Sequence, residues 1–407
     1  MRAYAWLIML ILLAACAQAP ATASMPSVAP PQATSSLVTA APGTIACTSV
    51  RQPAPTLQGT PPYLRPDDHS EGLADAPVVL VMYGDYQDPS SAAMNALLAR
   101  LRQAYPEAVR RVFRPLPLIN QYDKALLAAQ AAEAAARQGA FWPFHDRLLA
   151  EQAQWRNLSE ADFHAYRQGL ARQVGLDVAR FAQDLDAPDL QVALLAAREE
   201  AQRIGLPGVP LLYLNGEFYP GPWDWNSLST LVRLQALSAR QFSQCPPRLS
   251  NLTAPRFAAL HTEAGDIVLQ LYPDQAPMAV SSFVFLARQG WYNENTFFEV
   301  RPGLWARTGD PSETGLGHPG YTFVREIAPD LTFDRPGRVG LYNDGPPNNG
   351  SQFFITLTAA PQFNARYTLF GQVIKGLDLL KTLPPRTPGE PDAPPGLRIR
   401  SVDVTDP

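Results

Sequence analysis

The stretch NTFFEVRPGLWARTGD, residues 295–310, carries Glu299, Arg301 and Arg307 among its ionisable side chains. An ionised carboxylate only accepts hydrogen bonds, whereas a guanidinium offers five donors. Glu299 and Arg301 are two residues apart, so on a strand they share a face about 6–7 Å from each other. Chemistry that needs a fixed cationic donor is open to the two arginines and closed to Glu299. A second feature is the doublet Phe353-Phe354, whose rings must point to opposite faces of a strand, so that one of them leaves the core side. Other chemistries lack their parts. The histidines His69, His145, His164, His261 and His318 show no metal-ligand spacing, and no Gly-rich phosphate loop follows a strand. There is no repeat of solenoid period. Hydrolase and nucleotide readings have no support, and neither a metal nor another cofactor is expected.

A chain of 407 residues can build two domains, each with its own core. Its formal net charge of −4 supplies no basic field for a phosphate backbone, so nucleic acid is not an expected partner. The 41 prolines gather at the two ends and between the domains, where they mark linkers. The opening MRAYAWLIMLILLAACAQAP has one basic residue, an apolar run from about Ala5 to Leu13, then small residues up to Cys16. Nine apolar residues are too few to span roughly 30 Å of hydrocarbon, which makes this a secretory signal. LAAC resembles a bacterial lipoprotein signal in which residues 1–16 end at the cysteine that carries the lipid; a plain signal peptide cut at ACA is the alternative. Residues 17–72, rich in Ala, Pro, Ser and Thr, read as a tether to a membrane surface. The remaining cysteines, Cys47 and Cys245, flank the first folded region. In an oxidising compartment a bridge between them would tie its entry to its exit, two separate thiols being the alternative.

These residues need elements to hold them. The first folded region, residues 73–240, opens with a short β-branched run, Val78 to Tyr83, followed by Met94, Leu97, Leu98 and Leu101 at helical spacing. Val109 to Leu118 reads as a second strand. A long helical stretch runs from Tyr122 to about Arg203, with Ser159 and Asp177 as N-caps. GVPLLYLNGEFYPG then gives two short strands around the turn Asn215-Gly216. The order β-α-β, helical insertion, β-β-α resembles the thioredoxin fold of DsbA-type oxidoreductases, an α/β fold with a helical insertion. The resemblance implies a cis bond at Val209-Pro210 facing a pair of cysteines. Here the stretch DYQDPSS puts Asp88 and Ser91 at those positions, so Asp88, Ser91 and Pro210 form a degenerate redox site. Disulfide exchange needs an attacking thiolate and a resolving thiol, and neither a carboxylate nor a hydroxyl can replace them. A peptide-docking module and a structural spacer both remain open for this domain.

The second region, residues 250–407, has many short strands broken by Gly and Pro, and only two clear helices, one from about Pro277 to Arg288. That pattern predicts a closed antiparallel, all-β barrel. GDIVLQLYPDQAPMAVSSFVFLARQGWY, RPGLWARTGDPSETGLGHPGYTF, NNGSQFFIT and YTLFGQVIKGLDLL together resemble the cyclophilins, which are peptidyl-prolyl isomerases. Such an enzyme turns an X-Pro bond through a barrier of about 18–20 kcal/mol without breaking a covalent bond. The resemblance implies that Phe354 floors a proline socket walled by Leu304, Trp305, Phe363 and Tyr367. It implies that Gln352 and the backbone around Tyr342 and Asn343 hold the substrate chain. It also places Glu299 where the family has its catalytic arginine, Arg307 where it has a glutamine, and Gln362 where it has an aromatic. A Glu299–Arg307 pair across the groove and a relocated catalytic arginine, Arg301 or Arg307, are both open.

Two functions follow as expectations. One is a lipid-anchored isomerase, facing the extracytoplasmic side, that acts on proline-containing segments of exported proteins. The other is a non-catalytic peptide-binding or chaperone-like lipoprotein built from two degenerate domains.

Overall fold

The computed structural model describes residues 36–37, 43–50, 64–254, 256–343, 348–388 and 396–405. Cys16 and the signal segment lie outside the described residues. Within the stretch expected as tether, three short strands occur: β1 (Ser36–Leu37), β2 (Thr48–Ser49) and β3 (His69–Glu71). The tether expectation for residues 17–72 is corrected at these points. Strands of two or three residues have no periodicity of their own to betray them; distant partners hold them. β1 pairs with β2, and β2 pairs with Tyr321 and Thr322 of the second domain.

In the first domain β4 (Val78–Gly84) is buried at all seven positions, the unbroken apolar run that a central strand covered on both faces requires. α1 (Pro89–Ala104) follows it, and β5 (Val109–Pro115) returns parallel to β4. β5 stops short of the expected Leu118, because Pro115 and Pro117 bring no N–H to a ladder. The helical stretch consists of α2 (Ala125–Ala136), α3 (Phe141–Ala150), α4 (Gln152–Trp155), α5 (Glu160–Gln173), α6 (Val178–Leu185) and α7 (Pro188–Arg203). Ser159 and Asp177 cap α5 and α6 with their side chains, each satisfying backbone donors that the first turn leaves orphaned. β6 (Leu211–Leu214), β7 (Glu217–Tyr219) and α8 (Trp225–Ser238) complete the domain. The sheet order is β3-β5-β4-β6-β7. Asn215 and Gly216 carry φ of 49° and 84° in the β6–β7 turn, as a two-residue hairpin demands. The thioredoxin-like fold with its helical insertion is thus present.

His145 is fully buried in this domain. Its Nε2 lies 3.0 Å from Asn95 Oδ1, and its Nδ1 lies 2.8 Å from the Tyr86 hydroxyl. Asn95 is oriented by its own Nδ2, which donates to Asp146 Oδ1 at 3.0 Å. Nε2–H therefore donates, and Nδ1 accepts from Tyr86. Burial pushes the imidazole from its ordinary 6.5 down to about 3. Above about pH 6.5 the ring is neutral folded and unfolded, so it exerts no pH dependence. Below that, the unfolded chain binds a proton that the folded one refuses. Stability should fall as the pH drops from about 6.5 towards about 3, by up to about 1.4 kcal/mol per unit. Denaturant titrations between pH 7 and pH 4 should show this slope, and His145→Gln should flatten it; a slope unchanged by the substitution would assign it to other groups.

The second domain begins with the hairpin β8 (Arg256–Thr262) and β9 (Gly265–Leu271). α9 (Pro277–Arg288) then lays Val280, Phe283, Val284 and Ala287 into the core. The remaining strands are β10 (Asn295–Thr296), β11 (Glu299–Arg301), β12 (Trp305–Thr308), β13 (Tyr321–Val324), β14 (Arg338–Leu341), β15 (Asn348–Asn349), β16 (Phe353–Thr356), β17 (Leu369–Lys375) and β18 (Arg398–Thr405). A short helix, α10 (Leu377–Lys381), follows β17. Nine strands form one sheet, in the order β10-β18-β8-β9-β17-β14-β16-β12-β11. Its two edges, β10 and β11, are separated in sequence only by Phe297 and Phe298, so a single run of chain brings the sheet's ends together. β13 and β15 pair outside it, with β2 on the other side of β13. The cyclophilin-like architecture, a curled β sheet with two helices, is as the sequence implies. Cys47 and Cys245 are joined by a disulfide, and Arg240 Nη2 donates to the carbonyls of Gly290 and Trp291 at 3.2 Å, which ties the segment between the domains to the second one.

Candidate active site

The register of the sheet builds the site. Glu299 on β11 stands opposite Arg307 on β12, Arg307 opposite Phe354 on β16, and Phe354 opposite Gly340 on β14. Gly340 in turn faces Leu369 on β17. Residues directly opposite share a face, so one row across five strands carries an acid, a base and an apolar floor. Two residues along each strand, Arg301, Trp305 and Gln352 add to the same face. Gly340 has a steric reason: a Cβ there would lie 2.6 Å from the Phe354 ring and 2.9 Å from Phe333. Only a missing side chain lets the Phe354 ring lie across β14.

The phenylalanine doublet divides as the alternation requires. Phe353 enters the main core, with ring centroids 5.6 Å from Phe283 and 5.5 Å from Tyr292. Phe354 faces the other way, into a separate aromatic cluster with Trp305, Phe363 and Tyr367 at 5.5, 5.5 and 5.1 Å. Leu304 and Tyr342 pack against the same cluster. Leu304, Trp305, Tyr342, Phe354, Phe363 and Tyr367, scattered over 64 residues of sequence from 304 to 367, thus meet in one place. Phe333 joins them, stacked on Phe354 at 5.7 Å, and no pattern in LTFDRPGR announced it. Phe354 itself has no exposed surface. The half-buried rings Tyr342 and Tyr367 are stacked on each other at 6.0 Å.

The polar side of the site differs from a simple donor. Glu299 is buried, and its two oxygens hold two arginines: Oε1 accepts from Arg301 Nε at 2.7 Å, and Oε2 lies 2.7 Å from Arg307 Nε. The second contact is an ion pair without hydrogen-bond alignment, since Arg307 Nε has no hydrogen-bond partner. The Arg307 guanidinium carbon lies 3.9 Å over Tyr342 and 5.0 Å over Phe298. The Arg301 guanidinium, mostly exposed, lies 5.0 Å over Trp305. Gln352 Nε2 donates to the carbonyls of Gly315 and Gly317 at 3.0 and 2.9 Å, so its donor side holds the protein's own loop. The Asn343 side chain reaches Asn349 Oδ1 at 3.5 Å, and Tyr342 N donates to Gln352 O. That loop is organised by Asp310, a residue the sequence reading missed. Its buried carboxylate accepts from Ser312 N, Ser312 Oγ, Gly315 N and Gly317 N, and Gly317 is tight enough that a Cβ would strike it.

In the first domain Asp88 and Ser91 form a helix cap. Ser91 N and Ser91 Oγ both donate to Asp88 Oδ2 at 2.7 Å, and Ser91 Oγ accepts from Asp85 N at 3.2 Å. The carboxylate of Asp88 and the hydroxyl of Ser91 are therefore engaged with each other and with the start of α1. Burial holds the neighbouring Asp85 carboxyl above the ordinary carboxylate range, although it accepts backbone hydrogen bonds from Leu118, Gln87 and Asp88. Val209-Pro210 is cis.

Two family models match the chain: a cyclophilin-type peptidyl-prolyl cis-trans isomerase over residues 257–404, and a thioredoxin over residues 65–233. A probable peptidyl-prolyl cis-trans isomerase A of Mycobacterium bovis is 39% identical over 148 residues, which cover 32% of this chain and 81% of the relative. The peptidyl-prolyl cis-trans isomerase CYP71 of Arabidopsis thaliana is 39% identical over 130 residues, or 31% of this chain and 21% of that one. A solved thioredoxin-like oxidoreductase from Silicibacter pomeroyi is 27% identical, with a TM-score of 0.35 over 41% of this chain and 91% of that one. Through the domain whose sheet carries Phe354, the chain belongs to the cyclophilin-type peptidyl-prolyl cis-trans isomerase family.

Proposed function

We propose that this protein is a lipid-anchored prolyl isomerase that acts on proline-containing segments of exported proteins, and that its thioredoxin-like domain performs no disulfide exchange. The observation that carries the isomerase reading is the Phe354 cluster, an aromatic socket on the same sheet face as a row of polar side chains. Isomerisation needs an apolar seat for the proline ring, groups that hold the chain on either side, and a donor that favours the twisted bond over the planar one. The export reading rests on the LAAC signal and on a disulfide between Cys47 and Cys245. The redox-inactive reading rests on Asp88 and Ser91, which are hydrogen-bonded to each other where two thiols would be needed.

Glu299 favours a second reading, binding without turnover, because a carboxylate stands at the donor's position in the family. A protease-coupled assay with an X-Pro peptide anilide separates the two: the full chain should accelerate cis-to-trans conversion, whereas measurable peptide binding with no acceleration would establish the second reading. Cys16→Ala should move the protein from the membrane to the soluble fraction of cells that express it; a variant that stays with the membrane would remove the lipid anchor.

A further inference from the structure

Around the Phe354 cluster four polar atoms are buried without a hydrogen-bond partner: Trp305 Nε1, Arg307 Nε, Arg307 Nη1 and Gln352 Oε1; Arg307 Nε is engaged in the ion pair with Glu299, which leaves the other three. Their residues are 6%, 5% and 9% exposed. Buried polar groups are almost always paired, so three unpaired ones at one place call for an explanation in function. Two are donors and one is an acceptor, the set that matches the carbonyls and the N–H of a peptide chain. Trp305 and Arg307 lie two residues apart on β12 and share a face, while Gln352 shares that face from the neighbouring strand beside Phe354. All three border the seat that a proline ring would take.

Arg307 differs from the other two in carrying a charge. Glu299 neutralises it across the strand pair but leaves Nη1 unused, and Tyr342 and Phe298 pack against the guanidinium. The guanidinium is thereby fixed in place with a donor to spare. Glu299 is fixed in turn by Arg301 on its other oxygen. Each oxygen of the acid thus faces one guanidinium, Arg301 by a hydrogen bond and Arg307 by an ion pair.

We propose that Arg307 is the catalytic donor of this isomerase, presented by Glu299 as a positioning residue, with Trp305 Nε1 and Gln352 Oε1 holding the peptide groups on either side of the proline. In the planar X-Pro bond the nitrogen lone pair is delocalised into the carbonyl, and it becomes available only as the bond twists. A charged donor directed at that nitrogen therefore stabilises the twisted state more than either planar one, which is the condition for raising the rate. No bond breaks and no proton is transferred. The charge reversal across β11 and β12 then keeps the donor in the site and moves its origin by one strand. This proposal rests on the isomerase reading.

Five forms of the full chain test it on one chromogenic X-Pro peptide: wild type, Arg307→Gln, Trp305→Phe, Glu299→Gln, and the double variant Glu299→Arg/Arg307→Gln. Arg307→Gln should lower kcat/KM about 10²-fold, the usual effect of removing one charged donor from a preorganised site. Trp305→Phe keeps the ring and deletes only the N–H, so it should lower kcat/KM about 3–10-fold without lowering the melting temperature. The double variant puts a donor back from β11 and should recover most of the loss. Glu299→Gln should reduce kcat with little change in KM, which a merely structural acid would not do. If wild type is active and Arg307→Gln is equally active, the proposal is overturned while the isomerase reading stands. If wild type is inactive and the double variant active, the donor was lost at Glu299 and Arg307 never replaced it. If all five are inactive but folded, the isomerase reading fails and the proposal with it.

Discussion

Phe354→Ala is expected to reduce kcat/KM by about 10–150-fold, the equivalent of losing the burial of one apolar ring, about 1.5–3 kcal/mol. It should also destabilise the C-terminal domain by about 3–5 kcal/mol. Both follow from one observation: the ring has no exposed surface and touches Trp305, Phe333, Phe363 and Tyr367. Removing it leaves a cavity among rings that cannot collapse, because Gly340 beneath it has no side chain to move in. The informative control is Phe353→Ala, which removes an equally buried ring from the same strand but from the main core. Its stability loss should be similar, while the folded protein keeps its kcat/KM, since Phe283, Tyr292 and Phe370 are its neighbours and no socket residue is. Rates measured well below each variant's unfolding transition decide the matter. If the two variants lost activity equally, the floor of the socket would not be Phe354, and the assignment of faces in β16 would be wrong.

Much of this was legible in the sequence because alternation and spacing are local. The helix Pro277–Arg288 came from its 3.6-residue apolar spacing and the turn Asn215-Gly216 from turn chemistry, while the opposed faces of Phe353 and Phe354 came from the pleat alone. What did not come through depends on register between distant strands. That Glu299 faces Arg307 and Arg307 faces Phe354 is a property of three strands in a sheet, and no local pattern sets it. Phe333 was invisible for a related reason. It lies in a loop segment with no period, and it belongs to the socket only because its backbone N–H donates to Asn364 Oδ1 and its carbonyl accepts from Ala360 N.

Asp310 shows a further limit. An acidic residue before a Pro-Ser-Glu-Thr-Gly run reads as an exposed turn, since Asp is seldom fully buried unless paired. Here four donors from the following loop close around it, and Gln352 pins the same loop from the other side. A local sequence reading can price neither contact, because each becomes favourable only once the other has shaped the loop. β1, β2 and β3 were missed on the same ground: short segments of low propensity become strands when an edge elsewhere is available to pair with.

Loss of the Cys47–Cys245 bond should have the largest effect on stability in the first domain. The two residues are 198 positions apart, and the loop they close contains the whole thioredoxin-like domain. In the chain-entropy account a loop of that length is worth about 5 kcal/mol, because the crosslink restricts the unfolded chain far more than the folded one. The native state needs no distortion to keep the ends together. Cys47 and Cys245 are buried beside Ile45 in the core of the second domain, and Ile45 N donates to Pro246 O at 2.9 Å. Without the bond, the entering segment is held by the two-residue β2, which pairs at Tyr321 and Thr322, and by a few backbone contacts at Gly43, Thr44, Ile45 and Val50, and pairings this short are marginal. Cys47→Ser/Cys245→Ser should therefore lower the unfolding free energy of the first domain by about 2–5 kcal/mol, the range seen when native disulfides are removed. It should also expose residues 43–50 to proteolysis, and either single variant should do as much as the double, since each breaks the same bond. The isomerase rate should not change, because neither cysteine touches the Phe354 cluster. A double variant that unfolds at the wild-type denaturant concentration would mean that β2 and its neighbours hold the entry segment without the crosslink.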